Sequence, residues 1–338
     1  MDANFFDQEN LKIAVIGGGS WATALVKLMQ HKGHRVHWYL RNAEAIEYIK
    51  RHRHHRSYLS SVYLDPEYLQ MSDSMDEVVS QADVLIFAIP SAYFESEVFK
   101  LTVSLENKFV ISAIKGFVTS EYLTIAEYFN RVCHLPFDQI GIISGPSHAE
   151  EMGMQRLSYL TLTSKHAEVA EKLCELFRCD YVNTIPGTDI YGVEYAAALK
   201  NVYAVATGIA HGLGYGDNFT AVLITSAFHE MVSFLDATYP DANRITSRSA
   251  YLGDLLVTCY SQFSRNRTYG SMIGKGYSVM SAQSEMSMVA EGHYAVKSIH
   301  QINLRYSVKM PIVDAVYKIL YEGCYPVRIF GNLCKLLQ

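Results

Sequence analysis

Long apolar runs are missing from this sequence. The longest extends only from Val84 to Pro90, far short of the roughly 20 residues of a membrane-spanning helix. Residues 1–7 carry neither a basic start nor a long apolar stretch, so no secretory leader is expected. Cysteine is sparse as well. Cys133, Cys174, Cys179, Cys259, Cys324 and Cys334 form no C-x-x-C pair and no zinc spacing. No bound metal is therefore expected, and the six read as reduced core residues of a cytoplasmic protein. Basic charge is in deficit, with 29 Lys and Arg against 34 Asp and Glu and a net charge of −5. That balance excludes a general affinity for nucleic acid, so any bound anion must be held by local cations. Internal repeats and low-complexity tracts are also absent.

What remains describes a globular enzyme. The chain has 338 residues, 49% of them apolar, enough for two domains with separate cores. Residues 12–16 form a short β-branched run, and Gly17-Gly18-Gly19-Ser20-Trp21-Ala22 follows at once, leading into a helical pattern over residues 23–30. This fits G-x-G-x-x-A between a strand and a helix. Gly17 permits the turn, Gly19 lets backbone approach a pyrophosphate, and Ala22 lets the helix pack on the sheet. A plain glycine turn is the alternative. A second strand, residues 35–39, closes on Arg41-Asn42, where an NAD site usually carries an acid and arginine suits a 2′-phosphate. No acid appears until Glu44, so the reading leans to NADP or mixed use, unless Arg41 is an ordinary surface residue. The basic run at residues 51–56 reads as a solvated helix end.

Residues 83–90, 109–114, 140–144, 157–163 and 181–185 read as further strands, with a helix over 165–177. Lys115 sits at the carboxyl end of one strand, where open α/β sheets bind ligands. Ser147 with Glu150 has the spacing of a capping box, which alone accounts for both residues. The alternation predicts an α/β fold: an N-terminal doubly wound, Rossmann-like sheet over residues 1–187 and an all-helical domain over 188–338. In the second part, the alanine-rich stretch 194–208 reads as a helix with one lysine, Lys200, whose face is made largely of small residues. Apolar surroundings lower an amine's pKa and make it a usable proton donor and acceptor. A core helix whose lysine reaches out to solvent is the alternative. Ser264-Arg265-Asn266-Arg267 reads as a helix start with an arginine fork, an anion site or a capped surface loop. Val289-Ala290-Glu291-Gly292 passes as a turn.

Five separated motifs stand in one order: the glycine turn ending in Ser20-Trp21, Lys115-Gly116, Gly145-Pro146-Ser147, Leu199-Lys200-Asn201 and Ser264-Arg265-Asn266-Arg267. Asp217-Asn218, Gly253-Asp254-Leu255, Glu291-Gly292 and Met310-Pro311-Ile312 lie between and after them. Together they resemble the bacterial NAD(P)-dependent glycerol-3-phosphate dehydrogenases over about residues 12–323. The resemblance implies interconversion of sn-glycerol 3-phosphate and dihydroxyacetone phosphate, supplying glycerophospholipid synthesis, by a cytoplasmic homodimer that uses NADP or NAD. It makes Lys200 the proton acceptor, with Asp254 and Asn201 orienting the amine and the substrate oxygens. Lys115, Gly145, Ser147, Lys200, Asp254, Ser264, Arg265 and Asn266 would line the triose phosphate. Gly17, Gly19, Ser20, Trp21, Arg41, Asn42, Lys115, Ala149, Arg265, Val289 and Glu291 would meet the dinucleotide. His148, His211 and Tyr251 depart from the family pattern, and Tyr251 is expected to narrow the pocket beside Asp254. A dehydrogenase of an unphosphorylated hydroxy acid and a non-catalytic dinucleotide sensor are the competing readings. The lysine argues against the sensor, which needs no proton donor.

Overall fold

The computed structural model describes residues 2–286 and 288–337; Met1, Ser287 and Gln338 lie outside the described residues. Contacts divide the chain into two compact units, Met1–Ile114 with Ile125–Ile190, and Lys115–Thr124 with Tyr191–Gln338. The expected division at residue 187 lies close to the change of unit at Ile190, and one further segment changes unit. Residues 115–124 group with the helical unit, because they form a small hairpin of their own rather than a strand of the main sheet.

The first unit runs β1 (Ile13–Ile16), α1 (Ser20–His31), β2 (Val36–Tyr39), α2 (Ala43–His52), β3 (Leu69–Ser72), α3 (Met75–Ser80), β4 (Val84–Phe87), α4 (Ser91–Val98) and β5 (Phe109–Ser112). After the hairpin β6 (Phe117–Val118) and β7 (Leu123–Thr124), it resumes with α5 (Ile125–Arg131), β8 (Ile140–Ser144), α6 (Ala149–Gly153), β9 (Ser158–Ser164), α7 (Ala167–Phe177) and β10 (Val182–Gly187). The sheet order is β10-β9-β8-β5-β4-β1-β2-β3. Every pair is parallel except β8 with β9. Strands β1, β2, β4 and β5 are buried at every residue, as strands covered on both faces must be. The strand order reverses between β1 and β4, and such a switch point opens a crevice beyond the strands' carboxyl ends.

The second unit is helical: α8 (Ile190–Gly212), α9 (Asp217–Thr238), a π-helical turn (Ser249–Gly253), α10 (Asp254–Tyr260), α11 (Arg265–Gly274), α12 (Val279–Glu285), α13 (Glu291–Tyr306), α14 (Pro311–Tyr321) and α15 (Pro326–Leu333). Helix α8 is its core. It is buried from Val193 through Ala210, so only small residues let neighbouring backbones reach it. A Cβ on Gly208 would overlap the Arg267 carbonyl, and one on Gly270 would overlap the Val205 carbonyl. This reciprocal contact lays α11 directly on α8. Glu230 of α9, 5% exposed, accepts the Ile312 and Val313 amides at 2.8 and 3.0 Å and so caps α14 from another helix.

Two sequence expectations change in detail. All six cysteines are free, but only Cys174 and Cys259 are buried; the other four are partly exposed. The basic run is not uniformly solvated, since His55 folds inward and its Nδ1 accepts the Ser57 and Tyr58 amides. Burial pushes His55 down to about 4, which keeps it neutral. No helix among the described residues is long and apolar enough to cross a membrane.

Candidate active site

The candidate site of the first unit lies at the switch point. Gly17 has φ +134°, and a Cβ there would stand 2.5 Å from the Ala88 carbonyl oxygen just beyond β4. Any side chain would therefore close the gap between the two strand ends. The turn is held by the Trp38 indole, which donates to the Gly17 carbonyl at 2.7 Å. Gly19 caps α1 and has nothing within 4 Å of where its Cβ would be. Ser20 and Trp21 open the helix, and Ala22 is fully buried against the sheet. The amides of a helix's first turn have no intrahelical acceptors. A tight turn, an open backbone and a helix N-terminus fit a pyrophosphate.

Beyond β2, Asn42 caps α2 by accepting the Glu44 amide at 2.8 Å. Arg41 is 73% exposed, and its guanidinium stands 3.8 Å from the Glu97 carboxylate of α4. Gly145 has φ +102°, and a Cβ there would meet the Tyr159 carbonyl oxygen at 2.8 Å. The capping-box expectation for Ser147 and Glu150 fails. Ser147 donates to the Gly145 carbonyl at 3.0 Å, and His148 occupies the cap position of α6 without a side-chain cap bond. Proline at 146 and the strained Gly145 turn the chain before the helix can start. Ala149 is the first residue of α6, which packs on α1.

The second unit gathers the charged groups. Lys200, 3% exposed on α8, forms an ion pair with Asp254, itself 1% exposed at the first position of α10. The Lys115 ammonium stands 3.5 Å from the other Asp254 oxygen. Burial lowers the Lys200 pKa most; Asp254 raises it, Lys115 lowers it further, and the net value falls to about 7. An amine so placed changes protonation near neutrality. The Thr258 hydroxyl, one turn along α10, donates to the Asp254 carbonyl at 2.6 Å and fixes the start of that helix.

Side-chain amides hold the surrounding elements in register. Asn201 donates to the Lys115 carbonyl at 2.9 Å, and its oxygen accepts Asn266 at 2.9 Å. The Asn266 oxygen in turn accepts the Gly292 amide at 2.8 Å. One chain of bonds therefore ties the hairpin, α8, α11 and α13 together. Ser264 caps α11 by accepting the Arg267 amide at 3.3 Å, and Arg265 is the first residue of that helix. Val289 precedes the cap Ala290, and Glu291 opens α13. The expected turn at 289–292 is thus a helix start.

The departures from the family pattern separate cleanly. His211 is exposed in the last turn of α8, where a helix end favours a basic group. His148 is half-buried at the cap of α6, and Tyr251 is buried within the π-helical turn before Asp254. Sequence reading missed Glu97, whose helix carries no glycine or motif to mark it. It also missed the reciprocal glycines 208 and 270, which the spacing G-x-x-x-G over 208–212 and 270–274 would have flagged.

Two family models match the chain. One, described as NAD-dependent glycerol-3-phosphate dehydrogenase N-terminus, matches residues 12–170; the other, the C-terminus of the same, matches residues 189–330. Relatives named glycerol-3-phosphate dehydrogenase [NAD(P)+] include one from Desulfotalea psychrophila, 37% identical over 92% of this chain and 93% of its own length. One from Bacillus subtilis is 37% identical over 92% of this chain and 90% of its own. A crystal structure of glycerol-3-phosphate dehydrogenase from Coxiella burnetii superposes with a TM-score of 0.88 at 25% identity, covering 96% of this chain and 99% of that one.

Proposed function

The chain belongs to the NAD-dependent glycerol-3-phosphate dehydrogenase family, and from that premise we propose that Lys200 is the proton donor and acceptor of its reaction. The protein is an NAD(P)-dependent oxidoreductase that interconverts sn-glycerol 3-phosphate and dihydroxyacetone phosphate. The observation that carries the role of Lys200 is a buried amine lowered to about 7 beside a buried carboxylate. In reduction, protonated Lys200 gives its proton to the oxygen of the substrate carbonyl. In oxidation, neutral Lys200 takes the proton of the same hydroxyl. Asp254 holds the amine in place and keeps its pKa from falling further. The nicotinamide, when bound, supplies or accepts the hydride.

The remaining roles follow the same reading. The first unit holds the dinucleotide through Gly17, Gly19, Ser20, Trp21, Arg41, Asn42 and Ala149, and its Gly145 and Ser147 serve the substrate. In the second unit Lys115, Ser264, Arg265 and Asn266 serve the substrate. Lys115, Arg265, Val289 and Glu291 also reach the cofactor. Asn201 acts through the Lys115 backbone and Asn266, since its amide is engaged with both. We place the protein in the cytoplasm as a homodimer that feeds glycerophospholipid synthesis.

The phosphate separates this reading from a hydroxy-acid dehydrogenase. Hydrogen bonds to charged groups contribute about 1.5–3 kcal/mol each, or roughly ten- to a hundredfold in affinity. Lysine lacks the planar fork of arginine. Steady-state kinetics with dihydroxyacetone phosphate and dihydroxyacetone should show strong preference for the phosphate in wild type and loss of most of it in Arg265→Lys. Equal use of both substrates by wild type would remove the phosphate site.

A further inference from the structure

At the carboxyl end of β2 three groups converge on one buried carboxylate. Glu97 of α4 is 5% exposed. The Tyr39 hydroxyl donates to its Oε2 at 3.0 Å, and the Lys100 ammonium donates to its Oε1 at 2.7 Å. Burial alone would raise the Glu97 carboxyl. The bonds from Lys100 and Tyr39, with the charges of Lys100 and Arg41, outweigh it and hold the group below the usual carboxylate value. The tyrosine answers in the opposite sense: burial, then the carboxylate, push Tyr39 up to about 12. Glu97 is therefore an anchored anion at neutral pH. Arg41, 3.8 Å away and 73% exposed, is its loosest partner and is able to swing outward.

We infer that Glu97 is a specificity-determining residue for the cofactor: it competes with the 2′-phosphate of NADP for the Arg41 guanidinium. To meet that phosphate Arg41 must leave Glu97, and the fixed carboxylate also repels the dianion. A ribose hydroxyl asks neither, so NAD binds with the Arg41–Glu97 pair intact. Glu97 thereby does from α4 what an acid at the end of β2 does in NAD-specific sites, while Arg41 keeps NADP acceptable. Lys100 moderates the competition by sharing the same carboxylate oxygen. The inference rests on the reading that Arg41 faces the adenosine ribose.

Calorimetric dissociation constants of NADP+ and NAD+, measured without substrate, test it. The Arg41 end of the pair is solvent-exposed and 3.8 Å from Glu97, so the interaction is modest, and Glu97→Gln should favour NADP+ over NAD+ by about two- to fivefold more than wild type does. Lys100→Met, a surface change that leaves Glu97 less neutralised, should shift the ratio towards NAD+. If Glu97→Gln does not fold, Lys100→Met still carries the test. Arg41→Ala should lower NADP+ affinity more than NAD+ affinity. A ratio unmoved by Glu97→Gln and Lys100→Met, with Arg41→Ala effective, overturns the role of Glu97 alone. A ratio unmoved by Arg41→Ala overturns the reading beneath it, and this inference falls with it.

Discussion

Lys200 is pulled in opposite directions by its surroundings, and under the proposed mechanism that balance sets how the reaction responds to pH. Burial and the neighbouring Lys115 disfavour the ammonium, whereas Asp254 favours it, leaving a pKa of about 7. Reduction needs the protonated amine, so kcat/KM for dihydroxyacetone phosphate should fall as pH rises through about 7. Oxidation of glycerol 3-phosphate needs the neutral amine and should rise over the same window. Asp254→Asn removes the negative charge that raises the Lys200 pKa, so both limbs should move to lower pH in steady-state profiles. Limbs that stay in place in a folded Asp254→Asn enzyme would show that another group titrates. The lysine was legible in the sequence because it is the lone cation in an alanine-rich helix. Its partners were less so. By pattern alone Asp254 was an acid among apolar residues, and Lys115 lies far from Lys200 in sequence. In the first unit Glu97 was equally hidden, 58 residues from the tyrosine it bonds.

Elements place these side chains through backbone contact more than through side-chain packing. The first turn of α11 carries Ser264, Arg265 and Asn266, and its height above α8 is fixed where Gly208 meets the Arg267 carbonyl. Gly208→Ala would force the two helices apart, and overpacking a core in this way costs about 1–3 kcal/mol. Thermal unfolding should show that loss, and KM for dihydroxyacetone phosphate should rise because Arg265 moves with its helix. A variant with wild-type stability and KM would contradict the role given to this contact. Fully buried strands and long, strongly patterned helices were readable from sequence, among them β1, β4, β8, α9 and α14. The missed ones were short or half-exposed. Strand β3 is buried only at Leu69, and β6 and β7 have two residues each, too few to show a period. Ser147 misled for a different reason: a capping box is a spacing, and the strained turn at Gly145 overrides it.

At the scale of the whole molecule, chemistry is divided between two units of different construction. A sheet with a switch point supplies the turn at Gly17 and Gly19, and a helical unit supplies the buried Lys200–Asp254 pair. The chain carries a net charge of −5, yet Lys115, Lys200 and Arg265 all lie within the helical unit, the local cations that the proposed reading assigns to an anionic substrate. The two-part organisation was legible because strand and helix periods give way to helix alone after Gly187. The assignment of residues 115–124 was not, since local pattern says nothing about which core a short hairpin joins. The direction of β9 against β8 was equally hidden, because burial period carries no strand polarity. The central claim is that Lys200 performs the proton transfer of a glycerol-3-phosphate dehydrogenase. Its most direct test is NAD(P)H consumption with dihydroxyacetone phosphate by wild type and Lys200→Met, with fold checked by circular dichroism and cofactor affinity by calorimetry. The expected result is turnover by wild type and a loss of about a hundred- to ten-thousandfold in the variant, with fold and cofactor affinity retained. Near-normal turnover in a folded Lys200→Met enzyme would contradict the account.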